Sequence, residues 1–181
     1  QTEYFKVSEP SAKSDVVQKL VPNALWYFRY AALFTFITGL YLVHYLSIAI
    51  NISIILGAVM GTVMFLNVWL IIWPNQKKVI AGSPDAADAG AKAGLASRTN
   101  TLLSIPMLWF MIYSAHGTAI GNTILSLEES LTSLWVGLAL IAVIEINAVW
   151  GKMNPAIASV KAVIHSGLAL SVVFGLIVCY L

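Results

Sequence analysis

Five long apolar runs divide this chain, and short polar segments separate them. The runs cover residues 25–46, 52–73, 102–119, 131–150 and 156–181. Each is close to the length of about 20 residues with which a helix crosses a hydrocarbon core of about 30 Å. None shows the strict alternation of a barrel strand, so helices are the expected structure. The pattern predicts an all-α integral membrane bundle of five transmembrane helices.

The end of the second run sets the expected domain organisation. Trp73 is followed by Pro74 and then by polar residues and two lysines, which is typical of a helix that leaves the membrane. We therefore expect a polar N-terminal arm at 1–21, a membrane domain at 22–181 and a cytoplasmic loop at 75–100. The arm is expected as a solvated segment or a short surface helix. The loop is expected to contain a short helix after Asp85, because Ser-Pro-Asp is a helix-start pattern.

Composition excludes several classes of protein. The 181 residues are 59% hydrophobic and only 10% charged, whereas soluble domains carry about 25% charged residues. The single cysteine, Cys179, rules out an intrachain disulfide and a CxxCH haem attachment. No nucleotide-binding loop, metal-ligand cluster or basic surface for nucleic acid is visible. The sequence therefore predicts a membrane protein whose main surroundings are lipid and other membrane proteins.

The positive charges give the expected orientation. With five crossings, all ten Lys and Arg fall on one side of the membrane, and the other side receives only Glu128 and Glu129. Cytoplasmic segments are enriched in Lys and Arg. We therefore expect a multi-pass protein of a bacterial inner membrane, with a cytoplasmic N-terminus and a periplasmic C-terminus. The ten cations are Lys6, Lys13, Lys19, Arg29, Lys77, Lys78, Lys92, Arg98, Lys152 and Lys161.

Two histidines are predicted to share a layer near the outer face. His44 lies near the end of the first run and His116 near the end of the third, and both runs point outward. Neutral imidazoles on facing helices are a common way for a bundle to hold haem. One hypothesis is therefore bis-histidine ligation of haem b by His44 and His116. The alternative is a pair of interfacial histidines that bind water or lipid headgroups.

A second polar layer is predicted in the inner half of the bundle. It contains Asn67, Glu145, Asn147 and His165. Ionisable residues inside a membrane are costly and often functional, so one hypothesis is a proton-relay or quinone-type site formed by Asn67, Glu145 and His165, in which Glu145 and His165 are paired. The alternative is a structural contact between helices, in which Asn67 joins its neighbours.

Several segments resemble a known family. Residues 57–80 read G-A-V-M-G-T-V-M-F-L-N-V-W-L-I-I-W-P-N-Q-K-K-V-I, Asn100 follows, and residues 104–116 read S-I-P-M-L-W-F-M-I-Y-S-A-H. These segments, with F-R-Y-A-A-L-F-T-F-I-T-G at 28–39, resemble the membrane-bound urate hydroxylase family, whose N-terminal membrane domain is usually fused to cytochrome c. The resemblance implies a membrane redox module. This chain departs from that pattern in its five predicted spans and its lack of CxxCH.

The sequence thus favours a subunit of a membrane oxidoreductase complex over a stand-alone enzyme. The first hypothesis is an integral subunit of a bacterial respiratory-type or other redox complex, with electron transfer through haem b. A second is a cofactor-free accessory subunit of a larger membrane enzyme. A third, which rests on the resemblance, is an oxidase of a purine-like substrate such as urate. It would pass electrons to a separate cytochrome c and would need Asn67 or Gln76.

Overall fold

The computed structural model describes residues 9–45, 50–116 and 131–180. These residues contain six helices and no strand, so the all-α prediction is confirmed for them. The six helices are α1 (Pro10–Lys19), α2 (Val21–Tyr45), α3 (Ile52–Ile80), α4 (Ala86–His116), α5 (Leu131–Trp150) and α6 (Val160–Tyr180).

Three of these helices, α3, α5 and α6, are long and apolar enough to cross a membrane. The other two long helices, α2 and α4, have 25 and 31 residues and carry more polar side chains. Length and composition therefore establish three candidate spans among the described residues, at the positions predicted for the second, fourth and fifth.

Contacts along α3 fix the directions of its neighbours α2 and α4. Phe36 of α2 stacks on Phe65, with ring centroids 4.5 Å apart, and the earlier residue Tyr30 meets the later residue Trp69. On α4, Phe110 packs against Gly57, while the earlier residue Asn100 bonds the later residue Asn67. The helices α2 and α4 therefore both run antiparallel to α3.

The remaining two helices follow the same alternation. On α5, Gly137 lies against Leu56 of α3 and Glu145 bonds Asn67 further along, so α5 runs parallel to α3. On α6, Gly167 lies against Ile105 of α4 and Gly175 against Trp109, so α6 runs parallel to α4. The five long helices thus alternate in direction in chain order.

This alternation gathers the positive charges at one end of the bundle. From Lys19 onward, every Lys and Arg lies just before or in the first half of α2, α4 or α6, or near or just after the end of α3 or α5. We call this region the cationic end. It contains Lys19, Arg29, Lys77, Lys78, Lys92, Arg98, Lys152 and Lys161.

The main core is built by α3, α4, α5 and α6. Its buried residues are apolar, and Phe110 and Phe174 are in edge-to-face contact at 5.6 Å. Helix α2 packs outside this core, chiefly against the middle and end of α3 through Ala32 and its aromatic residues. The core residues are Ile52, Leu56, Met60, Leu103, Phe110, Ile141, Phe174 and Val178.

The prediction that the second apolar helix stops at Trp73 and Pro74 was wrong. A π-helical segment, Asn67–Ile72, precedes the proline, and the helix then continues as Trp73–Ile80. The amide of Trp73 bonds the oxygen of Val68, five residues back, and the Nδ2 atom of Asn75 donates to the Ile71 oxygen at 2.8 Å. The wider register before Pro74 accommodates a residue that has no amide hydrogen to donate.

The stretch predicted as a loop at 75–100 is also mostly helical. Only residues 81–85 form a turn, in which Gly82 has a φ of 64°. The expected short helix after Asp85 begins at Ala86 and continues without a break to His116. Alanine is the strongest helix former, and Ala89, Ala93 and Ala96 are buried. The end of α3 and the start of α4 therefore form a helical hairpin at the cationic end.

The arm and the outer turns are partly described. Of the two alternatives for the arm, the structure has the short helix, α1, which ends one residue before α2 begins. Glu128 and Glu129 lie outside the described residues.

Candidate functional site

A buried amide joins three helices of the bundle. Asn67 is 1% exposed and is the first residue of the π segment of α3. Its Nδ2 atom donates to Oδ1 of Asn100 on α4 at 3.0 Å and to Oε2 of Glu145 on α5 at 3.1 Å. We call these three residues the amide–carboxylate cluster. The structure thus brings Asn67 and Glu145 into contact, as their common depth predicted.

The cluster is also tied to the backbone where the π segment begins. Asn100 donates its own Nδ2 hydrogen to the main-chain oxygen of Met64 at 3.0 Å. The Met64 oxygen also accepts from the backbone amide of Asn67. Asn100 thus donates to Met64 and accepts from the Asn67 side chain. Its side chain is therefore fixed at both ends, and so is its orientation.

The burial of the three side chains decreases from α3 towards α5. Asn67 and Asn100 are buried, whereas Glu145 is half-buried. Within the described residues, Glu145 forms no ion pair with a Lys, Arg or His side chain. In the described part of the chain, the carboxyl group of Glu145 is therefore oriented by one neutral amide donor, Asn67, and not by a cation. π segments frequently occur at functional sites.

The other residues of the predicted inner layer do not join this cluster. His165 is an exposed side chain on α6, and Glu145 has Asn67 as its hydrogen-bond partner in the part of the chain that the structure describes. Asn147 is half-buried on α5, two residues after Glu145. The structure therefore brings together two of the three predicted site residues, Asn67 and Glu145. The role of His165 stays a prediction.

His44 and His116 lie at the same end of the molecule, opposite the cationic end. They are close to the ends of α2 and α4, which run in the same direction, and both side chains are exposed. A haem held by these two imidazoles would lie on the outside of the described helices, against lipid or another subunit. Its ligation stays a prediction.

Sequence reasoning missed Asn100 as a member of the site. The third apolar run was placed at 102–119, so Asn100 was expected at the end of the cytoplasmic loop, outside the membrane. Because α4 begins at Ala86, Asn100 is instead near the middle of a continuous helix. The signal that could have identified it is that Asn67 and Asn100 both occur among the residues that carry the family resemblance.

Comparison with known families supplies an independent finding. A family model described as "Urate oxidase N-terminal" matches residues 49–175. The match covers α3, α4, α5 and most of α6, and it includes all three residues of the amide–carboxylate cluster. It extends beyond the similar segments noted in the sequence and begins after residues 28–39.

Searches among curated proteins and among solved structures gave no significant match. The family match, however, covers more than half of the 181 residues. On that basis the chain belongs to the urate oxidase N-terminal family.

Proposed function

We propose that this chain is an integral membrane subunit of an oxidoreductase complex, and that the amide–carboxylate cluster is its proton-exchanging or quinone-type site. The observation that carries this proposal is the contact of Asn67 with Asn100 and Glu145 at a π segment inside an apolar helix. Membership of the urate oxidase N-terminal family supports a redox role. The three apolar helices support a position in the membrane.

The chemistry proposed for the cluster is proton transfer at depth. Reduction of a quinone takes up two electrons and two protons. A quinone bound inside the membrane needs a proton donor at the same depth. Glu145 is the titratable residue of the cluster, and Asn67 holds one of its oxygens in place. The Asn67 amide donates this hydrogen bond without carrying charge, so it orients the carboxyl group in either protonation state. Electrons would come from a partner subunit.

In this proposal all five long helices cross the membrane. Their alternating directions and the cationic end support five crossings in a bacterial inner membrane, with a cytoplasmic N-terminus and a periplasmic C-terminus. His44 and His116 would then lie near the periplasmic surface, where haem b could be held between this chain and a partner. A redox difference spectrum of the purified complex without b-type absorbance would remove haem from the proposal.

The test of the cluster compares Glu145→Gln with Asn147→Leu in the complex extracted from its own membranes in mild detergent. Glutamine keeps an oxygen for Asn67 but cannot exchange a proton in the same way. We expect Glu145→Gln to lower quinone-dependent electron transfer about a hundredfold, since a positioned general acid contributes about that much or more. Subunit composition should stay unchanged. Asn147→Leu lies on the same helix and should retain the rate.

An unchanged rate in Glu145→Gln would contradict the proposed role of the carboxyl group. The same preparation identifies the partner subunits and the pigments that remain bound to them. If the complex contains no redox-active group, the redox proposal is wrong.

The peripheral position of α2 favours a second candidate, a cofactor-free accessory subunit. Only Val21 of α2 is buried among the described residues, and large apolar side chains such as Phe34 and Tyr41 are exposed. Such a face suits contact with another membrane subunit. This function predicts that alanine at both His44 and His116 alters assembly but leaves the spectrum of the complex unchanged.

The family description favours a third candidate, oxidation of urate or a related purine with electrons passed to a separate cytochrome c. Asn67 and Gln76 both lie in the matched region, on α3. This function predicts urate-dependent reduction of added cytochrome c by the membranes. It also predicts loss of that activity in Asn67→Leu or Gln76→Leu.

A further inference from the structure

A second group of polar and aromatic side chains lies at the cationic end, where α2 packs on α3. The guanidinium carbon of Arg29 is 4.1 Å from the ring centroid of Trp73, 4.8 Å from that of Tyr30 and 5.0 Å from that of Trp69. The Nζ atom of Lys77 is 5.7 Å from the Trp73 centroid. We call these five residues the arginine–aromatic cluster.

The hydrogen bonding of this cluster is incomplete. The Nε atom of Arg29 is buried and has no acceptor within residues 9–45, 50–116 and 131–180, and the same holds for the indole Nε1 atom of Trp69. Among the described residues, the guanidinium makes no hydrogen bond and no ion pair. Aromatic faces stabilise its charge but offer no acceptor in the plane where its N–H groups point. Buried donors in proteins are nearly always paired. The unpaired N–H groups of this cluster therefore indicate that it binds an acceptor from another molecule.

The position of the cluster indicates which acceptor fits. It lies near the start of α2 and the end of α3, in the region that collects the cations of this chain. Tryptophan and tyrosine are enriched where a membrane protein passes through the headgroup region. Basic residues between helices at that level bind lipid headgroups. Arg29 and Lys77 together present a planar fork and a point charge, which suit the oxygens of a phosphate group.

We propose that the arginine–aromatic cluster binds the phosphate group of an anionic phospholipid. Arg29 donates to the phosphate oxygens, and Lys77 adds a second positive charge. The rings of Trp73 and Tyr30 hold the guanidinium plane, and the Trp69 indole offers a further donor. Arg29 and Tyr30 lie outside the region of the family match. No residue belongs to both this cluster and the amide–carboxylate cluster, although Trp69 lies in the π segment that Asn67 begins.

The test measures lipid binding to the purified chain in detergent. Phosphatidylglycerol, phosphatidylcholine and inorganic phosphate are each added, and the melting temperature and the lipids retained in native mass spectrometry are recorded. We expect phosphatidylglycerol to raise the melting temperature most and to remain bound. Arg29→Gln should weaken its apparent affinity about tenfold, which is the loss expected for a charge-assisted hydrogen bond. Trp69→Phe, which keeps a ring but removes the N–H group, should also weaken binding.

The matched control is Lys161→Gln, which removes an exposed cation from the same end of the molecule, at the start of α6. It should bind phosphatidylglycerol as the wild type does. Equal shifts with phosphatidylcholine or with inorganic phosphate would overturn the proposal, as would wild-type affinity in Arg29→Gln. The comparison of lipids on the wild-type chain needs no variant, so it decides the matter even if Arg29→Gln does not fold.

Discussion

At the scale of single residues, Asn67 connects more of the molecule than any apolar neighbour on α3 can. Both hydrogens of one amide nitrogen are directed at acceptors on different helices, Asn100 on α4 and Glu145 on α5. An apolar side chain of the same volume would pack equally well but would leave those two oxygens without this donor. The identity of the residue therefore matters for hydrogen bonding more than for packing.

Replacement of Asn67 by leucine tests this. We expect Asn67→Leu to reduce the free energy of unfolding by about 2 kcal/mol, because Asn100 and Glu145 each lose a donor. Equilibrium unfolding in mixed detergent and sodium dodecyl sulfate measures the change. Asn147→Leu is the control, and it should stay within about 0.5 kcal/mol of the wild type. Equal effects of the two variants would show that the bonds of Asn67 contribute nothing specific.

The sequence predicted part of this site. Counting residues from the ends of the second and fourth apolar runs predicts a common depth for Asn67 and Glu145. The two side chains are in contact. The same count placed His165 near them, but depth alone does not determine which way a side chain points around its helix. Asn100 was missed because the start of α4 was placed too late.

At the scale of helices, two departures from prediction have one physical origin. Proline and a polar, alanine-rich composition were taken as the end of helical structure. In α3, the π segment changes the hydrogen-bond register before Pro74, so the helix passes the proline. In α4, Ala89 and Ala96 supply small buried surfaces that let the helix pack closely on α3. Local sequence signals therefore do not end a helix where it still packs against a neighbouring helix.

Close packing of α4 on α6 gives the next prediction. A Cβ atom at Gly167 would lie 2.7 Å from Cδ1 of Ile105 and 3.2 Å from the backbone oxygen of Leu102. Because the backbone cannot move aside cheaply, we expect Gly167→Ala to reduce the free energy of unfolding by about 1–3 kcal/mol. Unfolding in sodium dodecyl sulfate measures this change.

The control for Gly167→Ala is Gly94→Ala on α4. A Cβ atom at Gly94 meets nothing within 4 Å, so alanine there should be neutral or should stabilise the helix by up to about 1 kcal/mol. A Gly167→Ala variant as stable as the wild type would contradict the close approach of α4 and α6.

The turn between α3 and α4 has a pH-dependent contact. The Nζ atom of Lys78 donates to Oδ2 of Asp85 at 2.7 Å, and this hydrogen bond lowers the pKa of Asp85 from its ordinary value of 3.8. A lowered pKa means that the contact stabilises the folded state above the unfolded pKa and is lost as the pH falls through the folded pKa. We expect Lys78→Gln to return the Asp85 pKa towards 3.8, as measured by carboxyl NMR titration. Lys92→Gln should shift it less, because Lys92 acts only through a weak Coulombic attraction.

At the scale of the whole molecule, the alternation of helix directions and the distribution of charge agree. The directions come from side-chain contacts between helices, whereas the expectation of five crossings came from apolar length and from where Lys and Arg fall. Both place Arg29, Lys77 and Lys161 at one end. The amide–carboxylate cluster lies nearer to that end, and His44 and His116 lie at the other. A functional assignment for either layer therefore depends on which compartment each end faces.

Cysteine labelling in sealed membranes tests that orientation. Ala81→Cys lies in the exposed turn after α3, and Tyr180→Cys lies at the exposed end of α6; each is made in a Cys179→Ser background. With five crossings, an impermeant maleimide should label Tyr180→Cys in spheroplasts and Ala81→Cys only in inverted vesicles. The Cys179→Ser chain alone should stay unlabelled, and detergent should expose both sites. Labelling of both cysteines from one compartment would require an even number of crossings between the two sites. In that case the cationic end would not coincide with the cytoplasmic face, and the predicted periplasmic position of His44 and His116 would be wrong.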